Sequence, residues 1–370
     1  MKNIKIRIPG KLFLGGEYAI MHPKQAALVL TLDAFLEVKL TPARHYQLLT
    51  QHRGETITFN LKTTKQNLKE KDKDERFALM LKAQDIAHQY LDLQGRKTLA
   101  PYRLSLASQL EDPTTKQKYG LGSSAAVTVG VIRGILTYHG LLPEYLQPAD
   151  ALLLFKLAVL CQSSLQMAGS YADLAAAAFT GCVAYQNFNH SDFAPTHKLS
   201  NRQLESYLNQ DWPNLSIQTL PWPEEWSVVV HWDQEASSTS RLLKEGQPLT
   251  PSWEKIFQKE SQNYVLKQKK AISTANFSKF KKASEQLADL LLAYTQRRGK
   301  NYDTQSFQKV RRLVQHQKNL AWKISGAGGG DCSLAIAKNK TAAEQFKKEL
   351  QAAGLRYLDL KFYQEGASHD

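Results

Sequence analysis

Residues 120–126 read Gly-Leu-Gly-Ser-Ser-Ala-Ala, and an apolar, helix-compatible run, Val127 to Tyr138, follows at once. No other stretch constrains the chain as strongly. Two glycines let the backbone turn tightly and approach a ligand closely. The serines stand where a helix N-cap is expected, and Ala-Ala opens a good helix. Such a terminus presents free N–H groups and the positive end of the helix dipole, a combination that suits phosphate. The segment is not a P-loop, because no Gly-Lys-Ser/Thr closes it. Taken alone it is a generic anion site, and Gly-Ser turns before helices are mostly structural.

At 370 residues the chain suits two domains better than one. Hydrophobic residues make up 42% of it, enough for substantial cores. Its 48 Lys and Arg outnumber 34 Asp and Glu, a net charge of +14 that favours anionic partners. Much of that charge lies on helix-like, solvated stretches such as Lys267 to Lys270 and Lys279 to Lys282. No compact Arg/Lys block interleaves with aromatics, so nucleic acid is not an expected partner. Cys161, Cys182 and Cys332 are odd in number and far apart, with no C-x-x-C, which indicates neither a disulfide framework nor a zinc site. The N-terminus lacks a signal-peptide core, and no uncharged apolar run can span a bilayer. A protein of the reducing cytoplasm, without a membrane partner, is the expectation.

Along the chain, Ile4, Ile6 and Ile8 alternate with Lys5 and Arg7, a strand with one buried face. Ala27 to Leu32, Phe35 to Leu40 and Tyr102 to Leu106 read as further strands, and Tyr46 to Leu49 with Thr56 to Leu61 as a hairpin. The polar stretch Lys62 to Glu75 reads as an exposed loop. Helical spacing runs through Phe77 to Leu91 and Leu152 to Met167. Residues 186–222 are polar, carry Pro195, Pro213 and Pro221, and hold the domain joint, dividing the chain into 1–220 and 221–370. Beyond it come a strand (Trp226 to Trp232), helices at Trp253 to Thr274, Phe277 to Gln296 and Ser306 to Trp322, a strand (Ser333 to Ala337), a helix (Ala342 to Ala353) and a last strand (Leu355 to Lys361).

Two other glycine-rich segments give the first its meaning. Gly326 to Gly330 holds four glycines in five residues, flanked by Ser325 and Asp331. Glycines bury no side chain and cost entropy, so this run serves a close backbone approach rather than a core. Near the start, Pro9-Gly10-Lys11 and Gly15-Gly16-Glu17-Tyr18 bracket a turn. Asp173 follows Ala-Gly-Ser-Tyr and precedes an alanine-rich helix; its plain reading is a first-turn helix residue.

In this order and at these separations, the three segments resemble the motifs of the GHMP kinase superfamily. The first matches Pro9 to Glu17, the second Gly120 to Ala125, and the third Gly326 to Cys332. The resemblance spans nearly the whole chain. It is nearest to the bacterial branch that acts on phosphomevalonate, through Pro-Gly-Lys-Leu-Phe, Gly-Glu-Tyr-Ala-Ile, Tyr119-Gly120-Leu121 and Ser170 with Asp173-Leu174-Ala175. It implies an α+β, two-domain fold: an N-terminal domain like the second domain of ribosomal protein S5, and a ferredoxin-like C-terminal domain. It also implies ATP-dependent phosphorylation of (R)-5-phosphomevalonate. Mevalonate kinase and a non-catalytic, small-molecule-binding relative are the alternatives.

The resemblance assigns roles by position. Gly120, Leu121, Gly122, Ser123, Ser124 and Ala125 would wrap the ATP phosphates, with Ser123 and Ser124 also near Mg²⁺. Asp173 matches the catalytic aspartate and Lys11 the lysine beside the phosphoryl acceptor. Ser325, Gly326, Ala327 and Gly328 would shape the acceptor site, with Tyr18 and Ser170. A carboxylate such as Asp173 can accept a hydroxyl proton, and Lys11 can lower that hydroxyl's pKa. An acceptor that already bears a phosphate needs more cations or N–H groups. Candidates are Lys11, Arg241, Lys244 and the run Ser237 to Ser240, where Ser237 and Ser238 read equally as an anion site or as an ordinary helix N-cap. One departure stands out: several relatives carry a Mg²⁺-binding glutamate ahead of the catalytic aspartate, but Leu160 to Ser164 holds no acid.

Overall fold

Ile4, Ile6 and Ile8 are buried while Lys5 and Arg7 face outward, and the strand they define, β1 (Ile4–Gly15), forms a long antiparallel hairpin with β2 (Ala26–Pro42). This is a computed structural model, describing residues 3–52, 55–60, 75–96, 99–167, 169–197, 199–234 and 246–366. The stretch from Lys62 to residue 74, and Ser237, Ser238, Arg241 and Lys244, lie outside the described residues.

The first sheet adds β3 (Gln47–His52), β4 (Glu55–Asn60), β5 (Tyr102–Ser108), β6 (Cys182–Gln186) and β7 (Ser216–Leu220). Its order is β4-β3-β5-β2-β6-β7, with β1 on the other edge of β2. Helices α1 (Glu75–Leu93), α2 (Ser123–Tyr138), α3 (Pro148–Ser164) and α4 (Ala172–Phe179) pack together, and α2 lies against Ile6, Ile8 and Val38. Two shorter helices, α5 (His190–Phe193) and α6 (Asn201–Asn209), precede β7. The second sheet is antiparallel, in the order β11 (Tyr357–Leu358), β8 (Ser227–Trp232), β10 (Cys332–Ala337), β9 (Leu320–Ile324). Around it run α7 (Pro251–Ser273), α8 (Phe277–Arg297), α9 (Gln305–Val314) and α10 (Lys340–Ala352).

Three elements differ from expectation. The strands expected at Ala27 to Leu32 and Phe35 to Leu40 are one strand, β2, interrupted by a bulge: Pro9 pairs with Phe35 but Gly10 with Leu32, so Asp33 and Ala34 have no partner in β1. The helix expected to reach Trp322 stops at Val314, and Leu320 opens β9. The last strand shrinks to Tyr357–Leu358.

The residues beyond that short strand return to the first sheet at the bulge. The edge of β2 pairs with β6 over Ala26 to Leu30 and with β5 over Leu36 to Pro42. The tail fills the gap between them. Asp33 N–H donates to Lys361 O at 3.0 Å, Tyr363 N–H donates to Thr31 O at 3.0 Å, and Leu32 bridges Phe362. Further on, Glu365 receives both terminal nitrogens of Arg133 on α2, at 3.0 and 2.7 Å, and Arg133 is only 2% exposed.

Removing one partner of a buried pair leaves an uncompensated charge. Glu365→Ala is therefore expected to cost about 3 kcal/mol, read as a lower midpoint in denaturant unfolding. The double change Arg133→Met with Glu365→Leu should recover most of it. A second expectation concerns pH. His231 on β8 is 2% exposed, with its ring nitrogens 3.2 Å from Ser333 Oγ and 3.0 Å from Ser306 Oγ. Burial, opposed by Asp233, pushes its imidazole down to about 4. The unfolded chain takes up that proton near pH 6.5, so this contribution is complete above about pH 6.5 and is lost as pH falls toward 4. His231→Asn should flatten the fall of melting temperature across that window.

Candidate active site

The helix that opens the site starts earlier than the serine N-cap reading places it. Gly122 is the N-cap of α2, with φ of 79°, and Ser123 and Ser124 are its first two residues. Glycine holds this left-handed conformation without the strain a serine would suffer. No side chain caps the terminus. The first helical bond runs from Ala126 N–H to Gly122 O at 3.1 Å, so the N–H groups of Ser123, Ser124 and Ala125 have no helical acceptor. Both serines are half-buried. The result is a helix end whose N–H groups are open to an acceptor, with the hydroxyls left over from capping. The acid-free stretch of α3 instead supplies Gln162, whose Nε2 donates to Thr128 Oγ1 at 3.0 Å, while that hydroxyl donates to Ser124 O at 2.9 Å.

The three glycine segments meet at this terminus. Lys11 N–H donates to Leu121 O at 3.0 Å, and the lysine side chain runs past Gly122 so closely that a Cβ there would lie 2.7 Å from Lys11 Cε. A Cβ on Gly120 would lie 2.5 Å from Asp331 Cβ. Cys332 Sγ donates to Tyr119 O at 3.1 Å. Side chains of the first and third segments therefore occupy the space that two glycines of the second leave open. Among the described residues neither Lys11 nor Asp173 forms an ion pair within 4 Å.

The first segment also fixes the third. Glu17, 3% exposed, forms a buried ion pair with Lys323 at the end of β9 and accepts Gly326 N–H at 3.3 Å. Burial pulls Lys323 below the ordinary lysine range, and Glu17 pulls it back up. Ser325 Oγ accepts Phe13 N–H at 2.8 Å, and Tyr18 OH donates to Ala327 O at 2.7 Å. Tyr302 packs beneath Gly328, where a Cβ would overlap its ring, and its carbonyl accepts Gly329 N–H at 3.0 Å. Tyr18 and Ser325, expected at the acceptor site, each make a hydrogen bond that joins the two segments, and both are buried.

Asp173 sits in the first turn of α4, which packs against β1 and β2, and is half-buried; Ser170 is buried just ahead of it, its carbonyl taking the Tyr185 hydroxyl at 2.8 Å. Sequence reading missed Lys323, although a single lysine in the apolar run Leu320 to Ile324 was a visible signal. Two further cations stand near the first segment: Lys300, whose Nζ lies 4.7 Å above the Tyr18 ring, and Arg298, which donates to Tyr294 OH at 3.1 Å. Nothing local marks those two, since cations after a helix are ordinary.

An uncapped helix end, a lysine beside it and a glycine loop from a second sheet form a site suited to a phosphate-bearing ligand. The comparisons agree. Residues 79–181 match the GHMP kinases N terminal domain and residues 271–355 match GHMP kinases C terminal, so the chain belongs to the GHMP kinase superfamily and has its two-domain α+β fold. It is 26% identical to the phosphomevalonate kinase of Streptomyces sp. (strain CL190), over 99% of this chain and 98% of that one. Among solved structures, the Lin0012 protein of Listeria innocua superposes with a TM-score of 0.84 at 26% identity, covering 97% of each chain. Streptococcus pneumoniae phosphomevalonate kinase, solved with phosphomevalonate and AMPPNP, superposes with a TM-score of 0.83 at 24% identity, over 97% of this chain and 100% of that one.

Gly122→Ala should weaken nucleotide binding by about tenfold or more, because a left-handed alanine costs about 1 kcal/mol and its methyl also displaces Lys11. Titration with a non-hydrolysable ATP analogue measures this; unchanged affinity would mean the loop does not hold the phosphates.

Proposed function

We propose that this chain transfers the γ-phosphoryl group of ATP to (R)-5-phosphomevalonate, giving (R)-5-diphosphomevalonate and ADP. The observation that carries the reading is the convergence of Lys11, the uncapped start of α2 and the third glycine loop around one point. The full-length similarity to the Streptomyces enzyme supports the acceptor, as does the close fold match to the pneumococcal protein. Three cysteines, all buried free thiols, support a reducing compartment such as the cytoplasm, and among the described residues no helix is long and apolar enough to cross a membrane.

The N–H groups of Ser123, Ser124 and Ala125 receive the phosphate oxygens of ATP and stabilise charge spread over the equatorial oxygens. When bound with the nucleotide, Mg²⁺ supplies further neutralisation of that charge. The hydroxyls of Ser123 and Ser124 would hold the ion. Among the described residues no group of three or more His, Cys, Asp or Glu side chains stands ready for a metal. That donor set suits a cation that keeps several waters and takes phosphate oxygens.

The acceptor changes what Lys11 and Asp173 are asked to do. The attacking atom is a phosphate oxygen, and the bond to the γ-phosphorus forms as the bond to the bridging oxygen of ADP breaks. A phosphate monoester loses its last proton near pH 6, so at neutral pH the nucleophile has little proton left to remove. The larger obstacle is repulsion between two anions. We assign Lys11 to bridge them, with Asp173 orienting the acceptor and taking its proton only when the monoanion binds.

Lys11→Met should then lower kcat on the order of 10²-fold. Asp173→Asn should cost far less above pH 7 and progressively more below pH 6. The reading is tested by coupled ADP release with phosphomevalonate, mevalonate and galactose. Turnover with mevalonate alone sinks the acceptor assignment, and no turnover with any of them returns the chain to the binding class.

A further inference from the structure

The loop that delivers the nucleotide motif is gripped from the other sheet. Between β5 and α2 the chain folds into a tight turn: Tyr119 N–H donates to Leu110 O at 3.1 Å, Asp112 N–H to Gln117 O at 2.8 Å, and Glu111 bridges Lys118. Asp112 is the hub of this turn. Its Oδ1 accepts Thr114 N–H at 3.0 Å, Thr115 N–H at 2.8 Å and the Thr115 hydroxyl at 3.2 Å, and its side chain is 3% exposed. Its other oxygen, Oδ2, accepts Arg356 Nη2 at 2.7 Å. Arg356 lies 244 residues further on, just ahead of β11.

The arginine is also held from the side of the second sheet. Its guanidinium carbon stands 4.7 Å above the Trp232 ring, and its carbonyl accepts Trp232 N–H at 3.0 Å. Trp232 in turn meets Tyr119 edge-on, ring centroids 4.8 Å apart at 88°. Tyr119 is the residue before Gly120, and its carbonyl takes the Cys332 thiol. Gln117 Nε2 adds a bond to Gln234 O at 2.6 Å. One short turn is thus tied to the second sheet by a charged pair, an edge-to-face ring pair and two further hydrogen bonds, all within ten residues of Gly120.

We propose that Arg356 is a positioning residue for ATP: stacked on Trp232 and bonded to Asp112, it sets the register of the Gly120–Gly122 loop and so the aim of the α2 amides. The plain alternative is a half-exposed ion pair, since Arg356 is 45% exposed, and such pairs contribute little. Three features argue for more. Asp112 is buried and fully pinned, so losing the arginine changes the charge balance of a fixed carboxylate rather than of a mobile one. The Thr115 backbone N–H, with Thr114 and Arg356, holds the Asp112 carboxyl down at about 2, ionised at any working pH. The latch also joins two sheets at the loop that must fit between them, where a shift of about 1 Å is enough to cost substantial activity.

The inference rests on the chain being an ATP-dependent kinase, and the experiment separates the two. Nucleotide affinity is measured by titration of a non-hydrolysable ATP analogue, and kinetics by ADP release, for the wild type, Arg356→Met, Arg356→Lys, Asp112→Asn and Arg356→Met with Asp112→Asn. Arg356→Met is expected to raise both the dissociation constant and the KM for ATP about tenfold, a common effect of losing a charge-assisted bond. The kcat at saturation and the KM for the acceptor should change less than twofold. Arg356→Lys should recover only part of the loss, because lysine cannot reproduce the planar stack. The double variant should be no worse than the worse single one. Wild-type nucleotide affinity left intact in all four variants, or single effects that simply multiply in the double variant, overturns the latch. Failure of the wild type to bind nucleotide overturns both the latch and the kinase reading.

Discussion

The buried ion pair between Glu17 and Lys323 is the interaction on which the rest of the site depends. Both side chains are almost wholly withdrawn from water, at 3% and 4% exposure, and each charge is tolerable only because the other is there. The pair ties the end of β1 to the end of β9, and thus one sheet to the other. Glu17 then turns to Gly326 N–H, so the third glycine loop starts from a fixed point. Replacing either partner would leave a charge stranded in the seam. Such a change costs about 3–5 kcal/mol in comparable settings, a large part of a protein's whole stability.

Given that anchor, the glycines read as complementary shapes. Gly122 yields to Lys11, Gly120 to Asp331 and Gly328 to Tyr302. In each case the small residue of one segment accommodates the large residue of another. A backbone that would be floppy in isolation becomes rigid by being filled from outside, which is how amides can be held ready for a phosphate without reorganising when it arrives. With the proposed acceptor, two phosphate-bearing partners would have to be brought together, and a cation beside the loop would answer their repulsion better than a base.

The motifs were legible because their chemistry is local. Glycine placement, an N-terminal helix signal and a lysine in a turn are all written within a few residues. The alternation that opens β1 was legible for the same reason. What escaped was decided by partners far away in sequence. The helix read through to Trp322 ends at Val314 because Leu320 to Ile324 is wanted in a sheet with β10; the intervening Gln315 to Asn319 carries no glycine or proline to announce the break. Tyr18 and Ser325 sit in the motifs as expected, yet their hydrogen bonds run to each other's segments. Asp112 and Arg356 are unremarkable as isolated residues and become a pair only in three dimensions. The single-residue shift of the α2 cap turned on glycine's tolerance of a left-handed backbone.

The tail that closes the gap in β2 has a consequence for how the chain is made. Proteins emerge from the ribosome N-terminus first, and domains ordinarily fold as they appear. Here Leu32 and Asp33 on the β2 edge lack their partners until Lys361 to Glu365 arrive, and Arg133 remains without its carboxylate for the same interval. The N-terminal half must therefore wait, incompletely paired, through the synthesis of the whole C-terminal half.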